Sequence, residues 1–375
     1  MNRGTRVATT LLLVAGFVGA VGWSLTRHKH EQVAQAQQVA IESAEALNGY
    51  VAVDVEPFFA DARVQRILRE HQLPVHATRL GSRDMAAKVA GGAKADFWFA
   101  SGVLAANQVD DAARQAGQPM AQSAPFNSPL VVASWAPVAQ ILEANGIARK
   151  LSDRVYGLDM GKLAELMLAK KRWNELKGAQ GYDVKRSVLV STTDVRKSNS
   201  AAMYLALMSQ AEHGEVVSDR AAATASAHKL AELFRRQGFQ ENYVNGNFDD
   251  YVQIGIGKAP LAFIYEYQIV GYAMARKGVQ PDMVLMYPEP TVVNKFVLLA
   301  ATPRGKALQA LLASDPELQK IAVEFGFRGA DAGAFSAAVK PTGLAVQDHV
   351  QQVVDPPAYE LMTLMIDTVT AEMAQ

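Results

Sequence analysis

A short apolar run that leads directly into a polar loop and then a helical run constrains the fold of this chain most strongly. Ser187–Val190 is mostly β-branched and apolar, which predicts a buried strand. The loop Ser191–Ser200 carries hydroxyls, an amide and two cations, and the Ala/Met/Leu-rich run from Ala201 predicts a helix. Such a unit directs free backbone N–H groups and the positive end of the helix dipole toward the sheet edge. It therefore predicts a site for an anion or a polar ligand at that edge.

The same arrangement recurs twice nearer the N-terminus. One predicted strand is followed by Gly81-Ser82-Arg83-Asp84 at the start of a helix, and another is followed by Ser101-Gly102. Ligands of open α/β sheets bind at the carboxyl ends of the strands, so we expect the three loops to converge on one ligand. The simpler alternative is that Ser198 or Ser200 only caps its helix, because serine is a common N-cap residue.

Strands alternate with helices along most of the chain, which favours an α/β fold with a largely parallel sheet. A polar corner at Asn127-Ser128 interrupts the alternation, and we interpret it as the crossover from one lobe to another. A length of 375 residues is enough for two or three domains. The predicted units are a membrane anchor and stalk (1–48), the first part of lobe 1 (49–130), lobe 2 (131–288), the second part of lobe 1 (289–340) and a C-terminal extension with a helix (341–375).

Composition argues against several classes of function. The formal net charge is zero, so neither a nucleic-acid partner nor general attraction to membrane surfaces is expected. The chain has no cysteine, which excludes disulfides, thiolate metal sites and cysteine nucleophiles. Its histidines lack zinc-site spacing, Gly255-Ile256-Gly257-Lys258 lacks the Walker spacing, and no Gly-x-Ser-x-Gly elbow occurs. We therefore expect no metal, no cofactor and no catalysis, although sequence cannot exclude a dyad that is assembled only in space.

The N-terminus predicts an attachment to the membrane. Val7–Leu25 is a run of 19 uncharged residues with Arg3 and Arg6 before it, and its length fits one membrane crossing. A cleaved signal peptide is the alternative, but the nearest small-x-small site, Ala34-Gln35-Ala36, lies far from the apolar run. We favour an uncleaved single-pass helix in the cytoplasmic membrane, with the body of the protein on the periplasmic, extracytoplasmic side.

Four stretches of the chain, taken in order, resemble type 2 periplasmic solute-binding proteins. They are Phe97–Ser101, Asn127–Val132, Arg196–Ser200 and Ala259–Tyr265. The similarity is greatest to the molybdate-like and phosphate-like binding proteins of ABC transport systems. The resemblance implies two open, mostly parallel sheets joined by a hinge, with the ligand bound between two lobes.

The resemblance also implies a set of ligand-binding residues. They are Ser82, Ser101, Asn127, Ser128, Arg196, Ser198, Asn199, Ser200 and Tyr265. We add Arg83 to these candidates because it places a cation beside Ser82 at the start of a helix. The charges of Arg83 and Asp84 depart from the small Ser/Gly/Thr runs that are common in the first loop of oxyanion binders. Glu266 beside Tyr265 is also unusual for an anion site.

Two functions remain open at this point. The first is a membrane-tethered, non-catalytic binding protein that clamps a small ligand, with oxyanions as the first candidates, and works with an ABC permease or another membrane protein. The second is an interaction or sensor module with the same fold that docks a membrane or envelope partner without transport. Arg83, Asp84 and Glu266 motivate the second function because they disturb a plain anion cleft.

Overall fold

The computed structural model describes residues 45–276 and 278–374, except for the side chains of Arg83 and Val244. The anchor predicted over Val7–Leu25 lies outside the described residues. Within the described part of the chain, no helix combines the length and apolarity that a membrane crossing requires.

The described strands form one continuous network of pairings. They are β1 (Leu47–Val51), β2 (Val75–Arg79), β3 (Phe97–Ser101), β4 (Ala121–Trp135), β5 (Ala148–Ser152), β6 (Val155–Asp159), β7 (Leu261–Tyr265), β8 (Met283–Glu289) and β9 (Val293–Ala300). Their order is β2-β1-β3-β9-β4-β8-β6-β5, and β7 also pairs with β4.

The described helices pack around this network of strands. They are α1 (Glu56–Ala60), α2 (Ala62–Glu70), α3 (Ser82–Ala90), α4 (Val103–Gln115), α5 (Ala136–Ala144), α6 (Met160–Leu168), α7 (Asn199–His213), α8 (Arg220–Arg235), α9 (Val244–Asp249), α10 (Glu266–Arg276), α11 (Pro303–Ser314), α12 (Pro316–Glu324), α13 (Ala332–Val339) and α14 (Tyr359–Met373).

Strand β4 belongs to two sheets. Its first part, Ala121–Pro129, pairs with β9 in a sheet that also contains β1, β2 and β3. Its second part, Leu130–Trp135, pairs with β7 and β8 in a sheet that continues to β6 and β5. The chain thus passes from the first sheet to the second next to the Asn127-Ser128 corner. The domain boundaries given above stay predictions.

The expectation of mostly parallel sheets is wrong. Among the described strands, β1–β2, β1–β3 and β6–β8 are parallel, whereas five pairings are antiparallel. The strands that pair antiparallel with β4, namely β7, β8 and β9, do not follow β4 directly along the chain. In addition, β9 follows β8 without a helix, because β8 ends at Glu289 and β9 begins at Val293. Alternation of strands and helices predicts parallel pairing only where a helix separates consecutive strands. The fold is therefore a mixed α/β fold.

The predicted strand Ser187–Val190 is an extended segment rather than a regular strand. Val188 and Val190 are fully buried, as a core strand requires. The segment has only isolated bridges, one of which joins Ser191 in parallel to Ala262 of β7. It still leads into the loop that precedes α7, so the predicted order of apolar segment, polar loop and helix is correct.

The C-terminal helix docks on the body of the protein, as its apolar face predicts. Leu361, Met362, Met365 and Val369 of α14 are buried, and the helix packs against α8 and α7. At the edge of this contact, His228 Nδ1 lies 2.7 Å from a carboxylate oxygen of Glu372. Helix α14 is thus part of the helical layer on the second sheet.

Candidate functional site

A cavity of about 560 Å³ lies where the loops after β1, β2 and β3 face the start of α7. Seven of the ten predicted site residues line this polar cavity. They are Ser82, Ser101, Arg196, Ser198, Asn199, Ser200 and Tyr265. The three strand–loop–helix units therefore meet at one gap, which is the arrangement that the sequence predicts. Other lining residues were not predicted as ligands, among them Asp54, Asp84, Lys197, Asn242, Tyr243 and Asn245.

The helices that begin at the polar cavity have no side-chain caps. Gly81, Gly102 and Ser198 are the N-cap residues of α3, α4 and α7, and none of them makes a side-chain hydrogen bond to its helix. By contrast, the Asp219 side chain accepts a hydrogen bond from Ala222 N–H and caps α8. The first N–H groups of a helix have no partner inside the helix. These three helix starts therefore offer donors and positive dipole ends to the cavity.

Hydroxyl groups are held in place around the helix starts. Ser200 Oγ lies 2.8 Å from Thr193 Oγ1 and 3.0 Å from Ser198 Oγ. On the opposite side, Ser82 Oγ accepts a 3.0 Å hydrogen bond from Ser101 N–H. Asn294 Nδ2 donates to Ser101 Oγ over 3.0 Å. Because hydroxyls donate and accept, this network can orient donors toward an anion without a change in fold.

Arg196 shares its charge with a neighbouring carboxylate. Its Nε and Nη2 atoms donate to Asp194 over 2.8 Å and 2.5 Å. Hydrogen bonds from Arg196 lower the pKa of Asp194 more than the burial of this carboxylate raises it. The predicted cation is thus offset by a negative partner, and Lys197 is the other cation that lines the polar cavity.

Asp54 is a site residue that the sequence analysis missed. The run Tyr50–Val55 looks like a strand in the sequence, which would place Asp54 inside it, but β1 ends at Val51 and Asp54 lies in the loop that follows. It is partly buried, and desolvation raises the pKa of its carboxyl, although Ser101, Tyr267 and the charge of Arg79 partly offset this effect. The sequence signal that could have identified Asp54 is an acidic residue just after an apolar strand.

Asp54→Asn is expected to make the protein more stable at neutral pH. The folded-state pKa is raised above the ordinary value of 3.8, so the stability contributed by the neutral carboxyl is complete below that value. It is lost as pH rises through the folded-state pKa, whereas asparagine stays neutral. The stabilisation should therefore shrink as pH falls toward 3.8. Urea unfolding at a series of pH values measures it.

The matched control for Asp54→Asn is Asp111→Asn on α4. Asp111 is exposed, so its replacement should change stability little. An equal effect of the two variants at every pH would contradict the account of Asp54.

Two predicted ligands lie outside the lining of the polar cavity. Ser128 is fully buried; its Oγ accepts a 2.9 Å hydrogen bond from Tyr267 N–H and contacts Pro129 O. Asn127 exchanges backbone hydrogen bonds with Arg328, and its Nδ2 donates to the same carbonyl over 3.4 Å. Both residues hold the crossover of β4 in place, and a ligand role for them has no support in this geometry. Arg83 lies in the first turn of α3, and its side chain is not described.

Glu266 does not face the polar cavity, contrary to what its position beside Tyr265 suggested. It is fully buried and pairs with Arg328, whose Nε and Nη2 donate to it over 2.5 Å and 2.8 Å. The Tyr287 hydroxyl donates to the same carboxylate. Glu266 therefore does not disturb the anion cleft.

The described residues contain no cluster of three or more His, Asp or Glu side chains that could hold a metal ion. The polar cavity instead offers mainly amides, hydroxyls and two cations, together with the carboxyl groups of Asp54 and Asp84. This set of groups suits a small anion better than a metal ion.

No protein-family model matches the chain, and no curated protein matches its sequence. Solved structures do match its fold. An ABC transporter structure from Clostridium perfringens has a TM-score of 0.54 at 12% identity, covering 87% of this chain and 99% of that one. Iron-bound HitA from Pseudomonas aeruginosa has a TM-score of 0.51 at 12% identity, covering 86% and 99%. A cyclic alpha-maltosyl-1,6-maltose binding protein from Arthrobacter globiformis has a TM-score of 0.51 at 11% identity, covering 88% and 99%.

These matches confirm an α/β fold of the kind expected from the resemblance, but not its mostly parallel sheets. The chain has the mixed α/β architecture of the two-lobed type 2 periplasmic solute-binding proteins. At such low identity, the likeness concerns the fold alone, and the two structures whose names state a ligand have different ones, iron and cyclic alpha-maltosyl-1,6-maltose.

Proposed function

We propose that the protein is a non-catalytic, extracytoplasmic solute-binding protein that clamps a small anion, with oxyanions as the first candidates, in the polar cavity. The ligand lies between the layers built on the two sheets, and the hinge runs through β4. The membrane segment is the run Val7–Leu25, and the functional partner is an ABC permease or another membrane protein. The meeting of three helix starts without side-chain caps at one hydroxyl-lined cavity carries this proposal.

The typical free energies of helix dipoles and hydrogen bonds indicate which groups would supply the affinity for an anion. A helix dipole favours a nearby anion by about 0.3–1 kcal/mol, so three of them supply at most about 3 kcal/mol. Micromolar affinity requires about 8 kcal/mol. Hydrogen bonds to charged groups contribute about 1.5–3 kcal/mol each, so several direct bonds from hydroxyls and backbone N–H groups must supply most of the affinity.

The balance of charge in the polar cavity favours an anion of low charge. Arg196 and Lys197 face the cavity, but Asp194 offsets the first of them. Asp54 and Asp84 add two carboxyl groups to the lining. A raised pKa makes Asp54 easier to neutralise, so affinity for an anion should increase as pH falls through the folded-state pKa of this residue.

Isothermal titration calorimetry of the full-length chain in detergent tests the proposal. The titrants are phosphate, sulfate, molybdate and tungstate, each measured at more than one pH. We expect at least one of them to bind with micromolar or tighter affinity. The absence of heat with all four would refute the oxyanion ligand.

Ser198→Ala separates binding from capping. Because the Ser198 hydroxyl does not cap α7, its removal should cost only its hydrogen bond to Ser200, about 0.5–1.5 kcal/mol of stability. Loss of a hydrogen bond to a charged ligand should weaken anion binding by about 1.5–3 kcal/mol, or roughly 10- to 150-fold. Calorimetry and urea unfolding of the same variant measure the two effects.

Asp219→Ala is the matched control for Ser198→Ala. Asp219 does cap its helix, since its carboxylate accepts a 2.9 Å hydrogen bond from Ala222 N–H. This variant should lose about 0.5–2 kcal/mol of stability and bind the anion normally. If Ser198→Ala lost stability instead of affinity, the cap-only alternative would be correct.

The second function, an interaction or sensor module, has less support. Glu266 was one of its motives, and this residue is paired inside the protein. An exposed apolar face on the C-terminal helix would also favour docking, but this face packs on α8 and α7. A pull-down from membranes separates the two functions, because a permease partner favours transport and a different stable partner favours the module.

A further inference from the structure

A second cavity, which we call the aromatic pocket, lies next to the polar cavity. It has a volume of about 620 Å³. Its main apolar lining comes from Phe248, Tyr267, Tyr272, Met274 and Phe325. The pocket lies between α2 and the end of α12 on one side and α9 and α10 on the other. Nothing in the proposal of an inorganic oxyanion uses it.

Three contacts show that the two cavities are adjacent. Asn245 lines both of them. Tyr265 lines the polar cavity and stacks on Tyr267 of the aromatic pocket, with ring centroids 5.7 Å apart. Burial raises the pKa of the Tyr267 hydroxyl, and the negative charge of Asp54 in the polar cavity also acts on this hydroxyl and raises its pKa further. Asn245 and the stacked rings of Tyr265 and Tyr267 therefore lie where the two cavities adjoin.

The charged groups at the aromatic pocket are already paired with each other. Arg63 Nη1 lies 2.7 Å from Glu324, and Arg63 Nη2 lies 2.8 Å from Asp61. An uncharged group of a ligand would therefore meet aromatic rings and methyl groups without disturbing an unpaired charge. Ligand pockets are typically 300–1,000 Å³ in volume and mostly apolar, with a few polar groups that fix orientation.

We propose that the natural ligand is an organic anion, whose anionic group binds in the polar cavity and whose uncharged apolar or aromatic group binds in the aromatic pocket. This inference rests on the proposed function, because the anionic group is held by the same helix starts. It adds a substrate class: alkyl or aryl derivatives of an oxyanion, rather than the bare ion. The polar cavity selects the charge, and the aromatic pocket selects the size and shape of the organic group.

Binding of a homologous series tests the inference. Phosphate is compared with methyl-, ethyl-, propyl-, butyl- and phenylphosphonate, and sulfate with the corresponding sulfonates, by calorimetry of the full-length chain. Each buried methylene should increase affinity by up to roughly fourfold. Affinity should therefore rise along the series and level off once the pocket is filled.

The variant Ala275→Phe tests whether the organic group binds in the aromatic pocket. Ala275 lies on an exposed position of α10 and lines the aromatic pocket, so a phenyl ring there should fill the pocket without disturbing the core. The variant should bind the inorganic ion normally and lose the increase along the series. Ala310→Phe, at an exposed position of α11 outside the pocket, is the matched control and should keep the increase.

The outcomes distinguish this inference from the proposed function. If an inorganic oxyanion binds and its organic derivatives bind no more tightly, the inference is overturned and the proposed function stands. If the increase along the series persists in Ala275→Phe, the organic group lies elsewhere and the inference is also overturned. If neither the ions nor their derivatives bind, the proposed function itself fails.

Discussion

Arg328→Met is expected to destabilise the protein by about 3–5 kcal/mol, the usual effect of removing one partner from a buried ion pair. The exposed fractions of the Arg328 and Glu266 side chains are 6% and 0%. Arg328 also donates to the carbonyls of Gln347 and Asp348, over 2.6 Å and 3.1 Å. Methionine would leave a buried carboxylate and two carbonyl oxygens without these donors. Urea unfolding at neutral pH measures the loss.

Two further variants make the Arg328 prediction specific. Adding Glu266→Gln to Arg328→Met removes the unpaired charge and should restore part of the stability. Arg66→Met breaks an exposed pair with Glu70 on α2, with both side chains about half exposed, and should cost less than about 1 kcal/mol. Equal losses of stability in Arg328→Met and Arg66→Met would contradict the claim that breaking a buried ion pair costs more than breaking an exposed one.

Gly102→Ala is expected to weaken both folding and ligand binding. Gly102 has φ +102° and ψ 138°, a conformation that an L side chain rarely adopts and that costs about 1–3 kcal/mol. An added Cβ would also lie 2.8 Å from Asn199 Nδ2 and 3.3 Å from Asn294 Oδ1. Asn199 lines the polar cavity, so its displacement should lower anion affinity at least tenfold, as expected for one lost charge-assisted hydrogen bond of about 1.5 kcal/mol.

Gly117→Ala is the matched control for Gly102→Ala. Gly117 also has a positive φ, +70°, but an added Cβ would meet nothing within 4 Å. It should cost about 1–2 kcal/mol of stability and leave anion affinity unchanged. Both variants are measured by urea unfolding and calorimetry. Unchanged anion affinity in Gly102→Ala would contradict the expected displacement of Asn199 by the added Cβ.

The convergence of the three loops could be predicted because its causes are local. In each unit, apolar residues are followed at once by Gly or Ser and then by a helical run, and parallel strands bring such loops to one edge. Ser82, Ser101 and Ser200 were found in this way. Asp54 was missed because Val53-Asp54-Val55 looks like the continuation of a strand, and the end of β1 depends on tertiary contacts rather than on local pattern.

The roles of Glu266 and Arg328 could not be predicted from the sequence. The two residues are 62 positions apart, and no local pattern joins them. The same holds for Ser128, whose Oγ accepts a hydrogen bond from a backbone N–H 139 residues later. The sequence predicted a crossover at Ser128, but the partners of these side chains are fixed by the passage of β4 from one sheet to the other. The antiparallel pairing of β4 has the same origin.

The segment between α13 and α14 links the two halves of the molecule a further time. Helix α13 packs against α12, which contacts α2 next to the first sheet, whereas α14 packs on the helices of the second sheet. Within the segment, the carbonyls of Gln347 and Asp348 accept hydrogen bonds from Arg328, which precedes α13. Val353 of the segment forms a bridge with Thr291. If the clamp opens at β4 as we propose, this segment connects its two sides a second time, like a strap. It should limit the angle to which an empty clamp can swing apart, and cutting it should give a wider and more variable open form.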